Sequence, residues 1–261
     1  MEIAGRNIVV TGGANGIGRA LCERFAAEGA RQVTVVDLDA AGAGAVAERV
    51  GGRGISADVS SRPEVEAVVR EVEAASGPID LFVSNAGILV AGGAEVEVEA
   101  WDRIWGVNVM AHVHAAHALI PSFLARGEGY LLSTCSAAGL LTQIGSAPYS
   151  VTKHAAVAFA EWLSITYGDR GVKVSVLCPQ AVRTAMTEGI EGGGVAGVDG
   201  MLEPEAIAES VLLAHPDEPY LILPHPDDRT YYQRKGQDVD RWIRCMRRLQ
   251  AGFGDDLEAP G

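Results

Sequence analysis

Residues 7–18 read NIVVTGGANGIG, and this stretch decides the fold. A short apolar run passes directly into a turn with four glycines, and a helical pattern follows. Such a turn needs glycine because a side chain would block the close approach of a pyrophosphate or of the neighbouring strand. The first turn of the helix then offers free N–H groups and a positive dipole end to an anion. The stretch therefore predicts a strand, turn and helix that bind a dinucleotide.

Outward from this unit, short β-branched runs alternate with longer amphipathic or alanine-rich runs. This alternation predicts an α/β fold, a single doubly wound domain over residues 1–253 with a seven-stranded, mostly parallel sheet and helices on both faces. The predicted strands are residues 7–11, 32–37, 54–58, 80–84, 129–134, 172–178 and 219–223. The predicted helices are residues 17–28, 40–50, 62–75, 101–125, 148–167 and 204–214.

Two segments depart from this rhythm. The glycine-rich stretch 189–200 follows the sixth strand, so it is either a substrate lid near 185–202 or an ordinary solvated connection. In the terminal segment 227–253, Trp242, Met246 and Leu249 recur at helical spacing and predict an amphipathic helix. That helix packs on a neighbouring subunit or shapes the substrate pocket, and residues 254–261 are expected to form a disordered tail.

Composition excludes several classes of function. The net charge of −13 argues against nucleic acid, which requires a basic face. No apolar stretch of about 18 residues predicts a membrane span, and the start of the chain has no pattern of a secretory signal. The four cysteines have no C-x-x-C spacing and the six histidines do not cluster, so we expect no metal and free thiols in a cytoplasmic protein.

Asp37 ends the second predicted strand, about twenty residues after the glycine turn. A carboxylate there accepts hydrogen bonds from the adenosine ribose hydroxyls and repels a 2′-phosphate. Asn15 and Leu38 offer no positive charge to such a phosphate, so the pattern favours NAD over NADP. The alternative is that Asp37 caps the next helix. Asp58 and Val59 either flank an adenine ring or simply end the third strand.

Tyr149 and Lys153 lie four residues apart and therefore share one face of a predicted helix. The lysine ammonium stabilises a phenolate, which makes the tyrosine a candidate general acid and base. Ser136 follows a predicted strand at its C-terminal end, where open α/β sheets bind their ligands. Its hydroxyl is expected to hold the substrate oxygen, whereas Ser133 and Thr134 point elsewhere along the pleated strand.

Here the sequence resembles a known family, the short-chain dehydrogenases/reductases, in their short single-domain branch. The resemblance spans roughly residues 5–225 and rests on motifs in the family's order and spacing: Thr11-Gly-x-x-x-Gly-Ile-Gly18, Asp58, Asn85-Ala86-Gly87, Asn108, Ser136, Tyr149-x-x-x-Lys153 and Pro179…Thr184. It implies a Rossmann fold and a hydride transfer between a nicotinamide cofactor and an alcohol or ketone.

The resemblance also implies roles for individual residues. Asn108 would kink its helix and hold a water that links Lys153 to solvent, and Lys153 would also bind the nicotinamide ribose. The Val182 backbone and the Thr184 hydroxyl would hold the carboxamide. The predicted catalytic residues are Asn108, Ser136, Tyr149 and Lys153. The predicted cofactor-binding residues are Gly12, Asn15, Gly16, Ile17, Gly18, Asp37, Leu38, Asp58, Val59, Asn85, Ala86, Gly87, Tyr149, Lys153, Pro179, Val182 and Thr184.

The chain departs from the family pattern at two positions. Gln180 replaces the usual glycine after the proline, and it could project towards the substrate. Ser84 replaces the first asparagine of the Asn-Asn-Ala-Gly motif. Cys135, beside Ser136, is expected to be a small buried residue rather than a nucleophile.

The sequence thus predicts an NAD-dependent oxidoreductase that interconverts a secondary alcohol and a ketone. Apolar residues in the substrate loops favour a hydrophobic or aromatic compound; they are Leu89, Val90, Leu140, Leu141, Ile144, Met186 and Met201. The alternatives are an NADP-dependent carbonyl reductase and an NAD(H)-sensing protein without turnover. The resemblance implies a homodimer or homotetramer built through the helices at 101–125 and 148–167, with Phe159, Trp162 and Leu163 either in the interface or in the core.

Overall fold

The structure is a computed structural model that describes residues 2–214 and 217–253. Within these residues, seven strands form one sheet in the order β3-β2-β1-β4-β5-β6-β7, and every neighbouring pair is parallel. The strands are β1 (Asn7–Thr11), β2 (Gln32–Asp37), β3 (Arg53–Ser56), β4 (Leu81–Ser84), β5 (Gly129–Thr134), β6 (Val172–Leu177) and β7 (Leu221–Ile222). The predicted α/β fold class is confirmed, and the sheet is wholly rather than mostly parallel.

Helices cover both faces of the sheet. They are α1 (Gly16–Ala27), α2 (Ala40–Val50), α3 (Arg62–Ser76), α4 (Val98–Trp105), α5 (Ala111–Arg126), α6 (Ala138–Leu141), α7 (Ala147–Tyr167), α8 (Pro204–Ala214), α9 (Asp228–Gln237) and α10 (Val239–Phe253). One hydrophobic core lies between the sheet and helices α1, α2 and α8. The other lies between the sheet and helices α3, α5 and α7.

The five central strands β2, β1, β4, β5 and β6 each contribute side chains to both cores, which explains their largely apolar sequences. In β1, Ile8 and Val10 belong to one core and Val9 to the other, and all three are fully buried. Because successive side chains point to opposite faces, a strand covered on both sides needs apolar residues at every position. The burial of these strands fixes the position of their carboxyl ends, where the site lies.

The predicted helix over 101–125 is wrong as a single helix. It begins at Val98 and is interrupted by a π-helical turn, Gly106–Met110, before α5 continues. The turn contains Asn108, whose side chain is hydrogen-bonded to the backbone of Ile88. A π turn accommodates one additional residue, and such turns are frequent at functional sites.

Two predicted strands end differently. The third ends at Ser56 rather than 58, because the Asp58 N–H donates to the Glu64 carboxylate and Asp58 itself accepts from Ser60. The seventh covers only Leu221 and Ile222, and it forms one edge of the sheet. Both differences lie at strand ends, where side chains compete with the ladder for backbone groups.

The glycine-rich stretch 189–200 contains a short helical segment that is interrupted by glycines with non-helical backbone angles. It contains the 3₁₀ segment Glu191–Gly197, in which Gly192, Gly193 and Gly194 have positive φ. Hydrogen bonds from Ala181 N to Ala196 O and from Arg183 N to Leu202 O fasten it to the chain after β6. It therefore lies beside the carboxyl end of β6.

The terminal segment forms two helices instead of one. Asp238 separates them with an extended backbone, and its Oδ1 accepts a hydrogen bond from Arg241 N. An aspartate in this position caps the N-terminus of α10. The predicted tail at 254–261 lies outside the described residues.

Candidate active site

The crevice of the site opens between β1 and β4, where the strand order reverses. Thr11 ends β1, and its hydroxyl accepts hydrogen bonds from the backbone N–H groups of Asn85 and Ala86, which follow β4. The Asn85 amide donates back to the Thr11 carbonyl at 3.1 Å. These bonds fix the two strand ends beside each other, and ligands of open α/β sheets bind at such a switch point.

Three glycines make room for this crevice. A Cβ at Gly12 would lie 2.8 Å from the Ala86 Cα, and one at Gly16 would lie 2.9 Å from the Thr184 Cγ2. A Cβ at Gly18 would overlap the Gly12 carbonyl oxygen. Gly12 and Gly16 also have positive φ, at 63° and 51°. The turn therefore needs glycine both for space and for backbone conformation.

The first turn of α1 is open to an anion. Asn15 occupies the N-cap position and makes no side-chain capping hydrogen bond, and the first turn holds no acidic residue. Backbone N–H groups there have no partner inside the helix. With Ile17 in the same turn lining the crevice, this is a fitting place for the pyrophosphate of a dinucleotide.

Asp37 and Leu38 lie at the next strand end and line the same crevice. Asp37 accepts hydrogen bonds from Ala14 N and Asp39 N, each at 3.0 Å. The cap of α2 is Asp39, which accepts from Ala41 N and Gly42 N. The alternative that Asp37 caps this helix is therefore wrong. The glycine turn orients the Asp37 carboxylate instead.

Asp58 and Val59 also line the crevice, beyond Asp37. Both Ser60 N and Ser60 Oγ donate to Asp58 Oδ1, at 2.8 and 2.7 Å. Asp58 thus stabilises the turn after β3, and its position beside the crevice also leaves it available to a ligand.

Ser136 lies two residues after β5 in a strained conformation, with φ of 132°. Its hydroxyl accepts from Ala138 N at 3.1 Å and donates to Pro179 O at 3.3 Å. Positive φ in a non-glycine residue is costly and is concentrated at functional sites. Ser133 and Thr134 point elsewhere, as predicted, because their hydroxyls bond His112 and Asn85.

Tyr149 and Lys153 lie on α7 and line the crevice together with Ser136. The Lys153 ammonium is 5.5 Å from the centre of the Tyr149 ring and donates to Thr134 O at 3.0 Å. Lys153 is only 3% exposed, whereas Tyr149 is half-buried. Among the residues described, the Tyr149 hydroxyl has no hydrogen-bond partner, which leaves it free for a substrate.

Asn108 reaches the site from the π turn. Its Oδ1 accepts from Ile88 N at 2.9 Å, and its Nδ2 donates to Ile88 O at 3.0 Å and to Thr152 Oγ1 at 3.3 Å. A Cβ on Gly87 would lie 3.4 Å from both Asn108 Oδ1 and Lys153 Nζ. Asn108 therefore lies close to Lys153 and braces the chain after β4.

The far side of the crevice follows β6. Pro179, Val182 and Thr184 all line it. Thr184 caps a short 3₁₀ helix, Ala185–Thr187. The Val182 carbonyl accepts from Thr187 Oγ1 at 2.7 Å, which orders this backbone. Every predicted catalytic and cofactor-binding residue except Asn108 and Gly18 thus lines one crevice, with Gly18 packed beneath it and Asn108 behind Lys153.

A second cavity of about 800 Å³ continues from this crevice. Ser136, Gln143, Gln180 and Ala196 line both. Its remaining walls come from α6, from the segment 195–199 and from helices α9 and α10. The terminal helices therefore shape the cavity beside Ser136.

Gln180 joins this cavity to a buried polar cluster. Its amide donates to Asp199 Oδ2 and to Asp228 Oδ1, each at 2.8 Å, and its backbone N–H donates to His225 Nδ1 at 3.2 Å. Burial raises the pKa of Asp228 to about 6, although the Gln180 hydrogen bond opposes the shift. Burial also lowers the pKa of His225, which suits its role as a neutral acceptor.

Three of the seven residues predicted to form an apolar substrate pocket line one of the two cavities, whereas Val90, Leu140, Ile144 and Met201 line neither. Leu89 and Met186 line the crevice and Leu141 lines the second cavity. Val90 and Leu140 are buried in the protein instead, so their assignment to the pocket is wrong. Leu140 packs in the core beside α7, because α6 presents only part of its surface to the cavity.

Sequence reasoning missed the polar residues of the second cavity. Arg234, Asp238 and Arg241 line it from α9 and α10, together with Tyr231. The sequence indicated this wall only through the helical spacing of Trp242, Met246 and Leu249. These three residues do line the cavity. The direction in which that helix faces depends on the path of the chain and has no local signal.

Two other features bear on the chemistry. Cys135 is fully buried, and burial raises its pKa to about 12, which removes it as a nucleophile. In the described part of the chain, no group of three or more potential ligands is arranged to hold a metal ion. None of the helices in that part is long and apolar enough to cross a membrane.

Comparisons with known proteins agree with this geometry. A family profile described as short chain dehydrogenase matches residues 6–192. The 1-deoxy-11-beta-hydroxypentalenate dehydrogenase of Streptomyces exfoliatus is 34% identical over 252 residues, covering 93% of this chain and 91% of the relative. The 3beta-hydroxysteroid dehydrogenase 2 of Eggerthella lenta is 30% identical over 196 residues, covering 72% and 75%.

A similar solved structure is a short chain dehydrogenase/reductase from Burkholderia phymatum in complex with NAD. It has a TM-score of 0.83 and 26% sequence identity, and the match covers 92% of this chain and 96% of that one.

Proposed function

Because the chain belongs to the short-chain dehydrogenase/reductase family, we propose that it is an NAD-dependent enzyme that interconverts a hydrophobic or aromatic secondary alcohol and its ketone. One observation carries this proposal. Ser136, Tyr149, Lys153 and Asp37 all line one crevice, which also contains the glycine turn.

The residues of the crevice fit a dinucleotide. Gly12, Gly16 and the first turn of α1 provide space and N–H groups for the pyrophosphate. Asp58 and Val59 would flank the adenine, and Asn85, Ala86 and Gly87 would support the middle of the cofactor. Pro179, Val182 and Thr184 would hold the carboxamide end. When bound, the nicotinamide supplies a hydride acceptor for oxidation or a hydride donor for reduction.

NAD is favoured over NADP by the charges of the crevice. The Asp37 carboxylate would accept hydrogen bonds from the adenosine ribose and repel a 2′-phosphate. Lys153 is the single basic side chain among the described residues that line the crevice. Leu38, next to Asp37, is 73% exposed and carries no charge. A bound NAD in the Burkholderia relative agrees with this assignment.

Tyr149 would transfer the proton. In the oxidative direction its phenolate accepts the alcohol proton while the carbon loses a hydride. Lys153 stabilises the phenolate by its charge, and the Ser136 hydroxyl donates to the oxygen of the substrate. In the reductive direction each transfer is reversed. Asn108 holds the chain beside Lys153 and would support proton exchange with solvent.

The substrate is proposed to be hydrophobic because the cavity beside Ser136 is walled by apolar side chains, among them Leu141, Trp242 and Met246. The names of two relatives agree with a bulky ring compound, since one acts on a hydroxypentalenate and another on a hydroxysteroid.

A homodimer or homotetramer in the cytoplasm completes the proposal. Val151, Trp162 and Ile165 are exposed on α7, at 47%, 53% and 77%, and would supply an apolar interface. Leu163 is buried in the core, and Phe159 packs against it, so these two would not contribute.

The test is Tyr149→Phe, which removes one hydroxyl and keeps the ring. Turnover of a panel of alcohols and ketones, followed by NADH absorbance, should fall by about 1,000-fold or more. NAD affinity, measured by calorimetry, should change by less than about threefold, because the ring keeps its packing.

Tyr167→Phe is the matched control, since this tyrosine lies at the other end of α7 and stacks edge-on against Trp162. It should keep full turnover. Normal activity in Tyr149→Phe would refute the assignment. An NADP preference in the wild-type enzyme would replace the proposed NAD-dependent function with that of an NADP-dependent carbonyl reductase. NAD binding without turnover of any alcohol or ketone would identify an NAD(H)-sensing protein.

A further inference from the structure

The cavity beside Ser136 is larger than a small alcohol needs. Its volume of about 800 Å³ lies near the upper end for small-molecule sites, which range over roughly 300–1,000 Å³. It continues into the catalytic crevice through Ser136 and Gln143. A substrate that fills it therefore has its reacting oxygen at Ser136 and a large remainder under the terminal helices.

The body of that substrate is apolar. Val195 and Val198 line the cavity from the glycine-rich segment, and Trp242, Met246 and Leu249 line it from α10. The three α10 residues are only partly buried in the protein alone. An apolar ligand between these walls would remove their exposed surface from water.

Two carboxylates, Asp199 and Asp238, and two guanidinium groups, Arg234 and Arg241, line the cavity. Both carboxylates are already hydrogen-bonded: Asp199 to Gln180 and Tyr231, and Asp238 to the Arg241 N–H. The guanidinium groups of Arg234 and Arg241 form no ion pair with any described residue. Arg244, also on α10, likewise forms no ion pair with a described residue, but only Arg234 and Arg241 among the described arginines line the cavity.

The charged residues of this lining sum to a formal charge of zero, in a chain whose net charge is −13. Two unpaired guanidinium groups, one from each terminal helix, line the cavity that contains Ser136. Guanidinium groups match the geometry of carboxylate and phosphate oxygens. The arrangement is complementary to a ligand that is apolar in its body and negatively charged at its outer end.

We propose that the substrate carries an anionic group, a carboxylate or a phosphate monoester, which Arg234 and Arg241 bind while the apolar body fills the cavity. This proposal rests on the proposed function, because it assigns the substrate class of the same site. Tyr149 and Ser136 would act on the alcohol at one end of the molecule, and the two arginines would select its other end.

The test compares matched pairs of secondary alcohols that differ only in the anion. The first pair is deoxycholate and its methyl ester. The second is a 3-hydroxybutyryl thioester of phosphopantetheine and the same thioester of pantetheine. For each pair, kcat/KM is measured for the wild type, Arg234→Gln, Arg241→Gln and the double variant. Arg244→Gln is the control, because Arg244 lies on α10 and does not line the cavity.

We expect the wild type to prefer the anionic member of at least one pair by about 10-fold or more, mainly through KM. The double variant should lower this ratio to within about twofold, and Arg244→Gln should keep it. Higher ionic strength should also lower the ratio, because both guanidinium groups are exposed. A preference confined to the first pair identifies a carboxylate, and one confined to the second identifies a phosphate.

Binding measurements separate this proposal from the proposed function. Equilibrium binding of all four compounds to NAD-loaded Tyr149→Phe reports anion selectivity without turnover. If the wild type oxidises none of the compounds but this variant still binds the anionic members more tightly, the reaction is wrong and the anion site stands. Equal binding of both members of each pair, no binding at millimolar concentration, or an unchanged ratio in the double variant overturns the anion site.

Discussion

The side-chain amide of Gln180 donates a 2.8 Å hydrogen bond to Oδ1 of Asp228, a residue with no exposed surface. The second hydrogen bond of the same amide goes to Asp199. Gln180 follows β6, Asp199 belongs to the glycine-rich segment, and Asp228 begins α9. One side chain therefore ties together three parts of the chain that surround the substrate cavity. A glycine at this position could not make these bonds.

Asp228→Asn should stabilise the protein at neutral pH. The pKa of Asp228 is raised to about 6 by burial, above its ordinary value of 3.8. The folded state therefore holds this proton more tightly than the unfolded state, and stability falls as the pH rises from about 4 through 6. Above that range the ionised carboxylate costs up to about 3 kcal/mol, and asparagine removes this cost while its Oδ1 still accepts from Gln180.

The measurement is urea denaturation of both proteins at several pH values. The stability gained by Asp228→Asn should be largest at pH 8 and shrink towards pH 4. Asp240→Asn is the control, since Asp240 is exposed and is not among the charges that act on the Asp228 carboxyl, and its effect should not vary in this way. A gain that is independent of pH would mean that the carboxylate is not perturbed in the folded protein.

Asp37→Ala together with Leu38→Arg should reverse the cofactor preference. The first change removes the charge that repels a 2′-phosphate, and the second supplies a guanidinium beside it. The ratio of kcat/KM for NAD to that for NADP should fall by about 100-fold, or roughly tenfold for each change.

Asp39→Asn is the matched control for charge. It removes one negative charge two residues from Asp37 but retains the cap of α2, because asparagine caps as well as aspartate. Its cofactor ratio should change by less than about twofold. If the double variant at positions 37 and 38 leaves the NAD/NADP ratio of kcat/KM unaltered, Asp37 does not bind the adenosine ribose.

Gly18→Ala should damage both the fold and cofactor binding. The new Cβ would overlap the Gly12 carbonyl oxygen and approach the Asn85 amide, and backbone atoms cannot move aside cheaply. We expect a loss of roughly 1 to 3 kcal/mol in the free energy of unfolding and weaker NAD binding.

Gly44→Ala provides the contrast, because Gly44 lies within α2 and a Cβ there meets nothing within 4 Å. It should raise stability by roughly 0.5 to 1 kcal/mol through helix propensity. Thermal unfolding of the two variants would test the expected loss of stability in Gly18→Ala and the expected gain in Gly44→Ala, and calorimetric titration would test NAD binding. Unimpaired NAD binding by Gly18→Ala would contradict the close packing of the turn.

Trp242→Ala should weaken the binding of bulky substrates. The Trp242 side chain lines the substrate cavity from α10 and packs against Tyr231 at 6.4 Å between ring centres. Its loss should raise KM for large hydrophobic alcohols by about tenfold, with little change in kcat, since ground-state and transition-state binding weaken equally.

Steady-state kinetics with a large and a small alcohol would check this expectation. The small alcohol should be unaffected. Ile243→Ala, one residue further along α10 and 43% exposed, does not line the cavity and should behave as wild type. A similar rise in KM for the small alcohol would mean that Trp242 acts on the whole site rather than on one wall.

Local sequence patterns predicted much of the fold and of the crevice. These patterns each involve residues close together in the chain. They are the periodicity of each strand and helix, the glycines at 12, 16 and 18, and the spacing of Tyr149 and Lys153. The predicted end of β3 was less accurate, because the Asp58 N–H donates to the Glu64 carboxylate instead of to a neighbouring strand. The π turn at Asn108 was expected only as a kink, and only from the family resemblance, because the Asn108 side chain bonds the backbone of Ile88, twenty residues away, which no local pattern indicates.

The sequence by itself determined the architecture, the dinucleotide crevice and the candidate acid–base pair, because periodicity, glycine conformation and helical spacing are local properties. Only the tertiary structure decided that Gln180, Asp199 and Asp228 meet, and that α9 and α10 bring Arg234, Arg241 and Trp242 to the cavity beside Ser136. These contacts join residues far apart in the chain, so they depend on how the folded elements pack rather than on any short stretch of sequence.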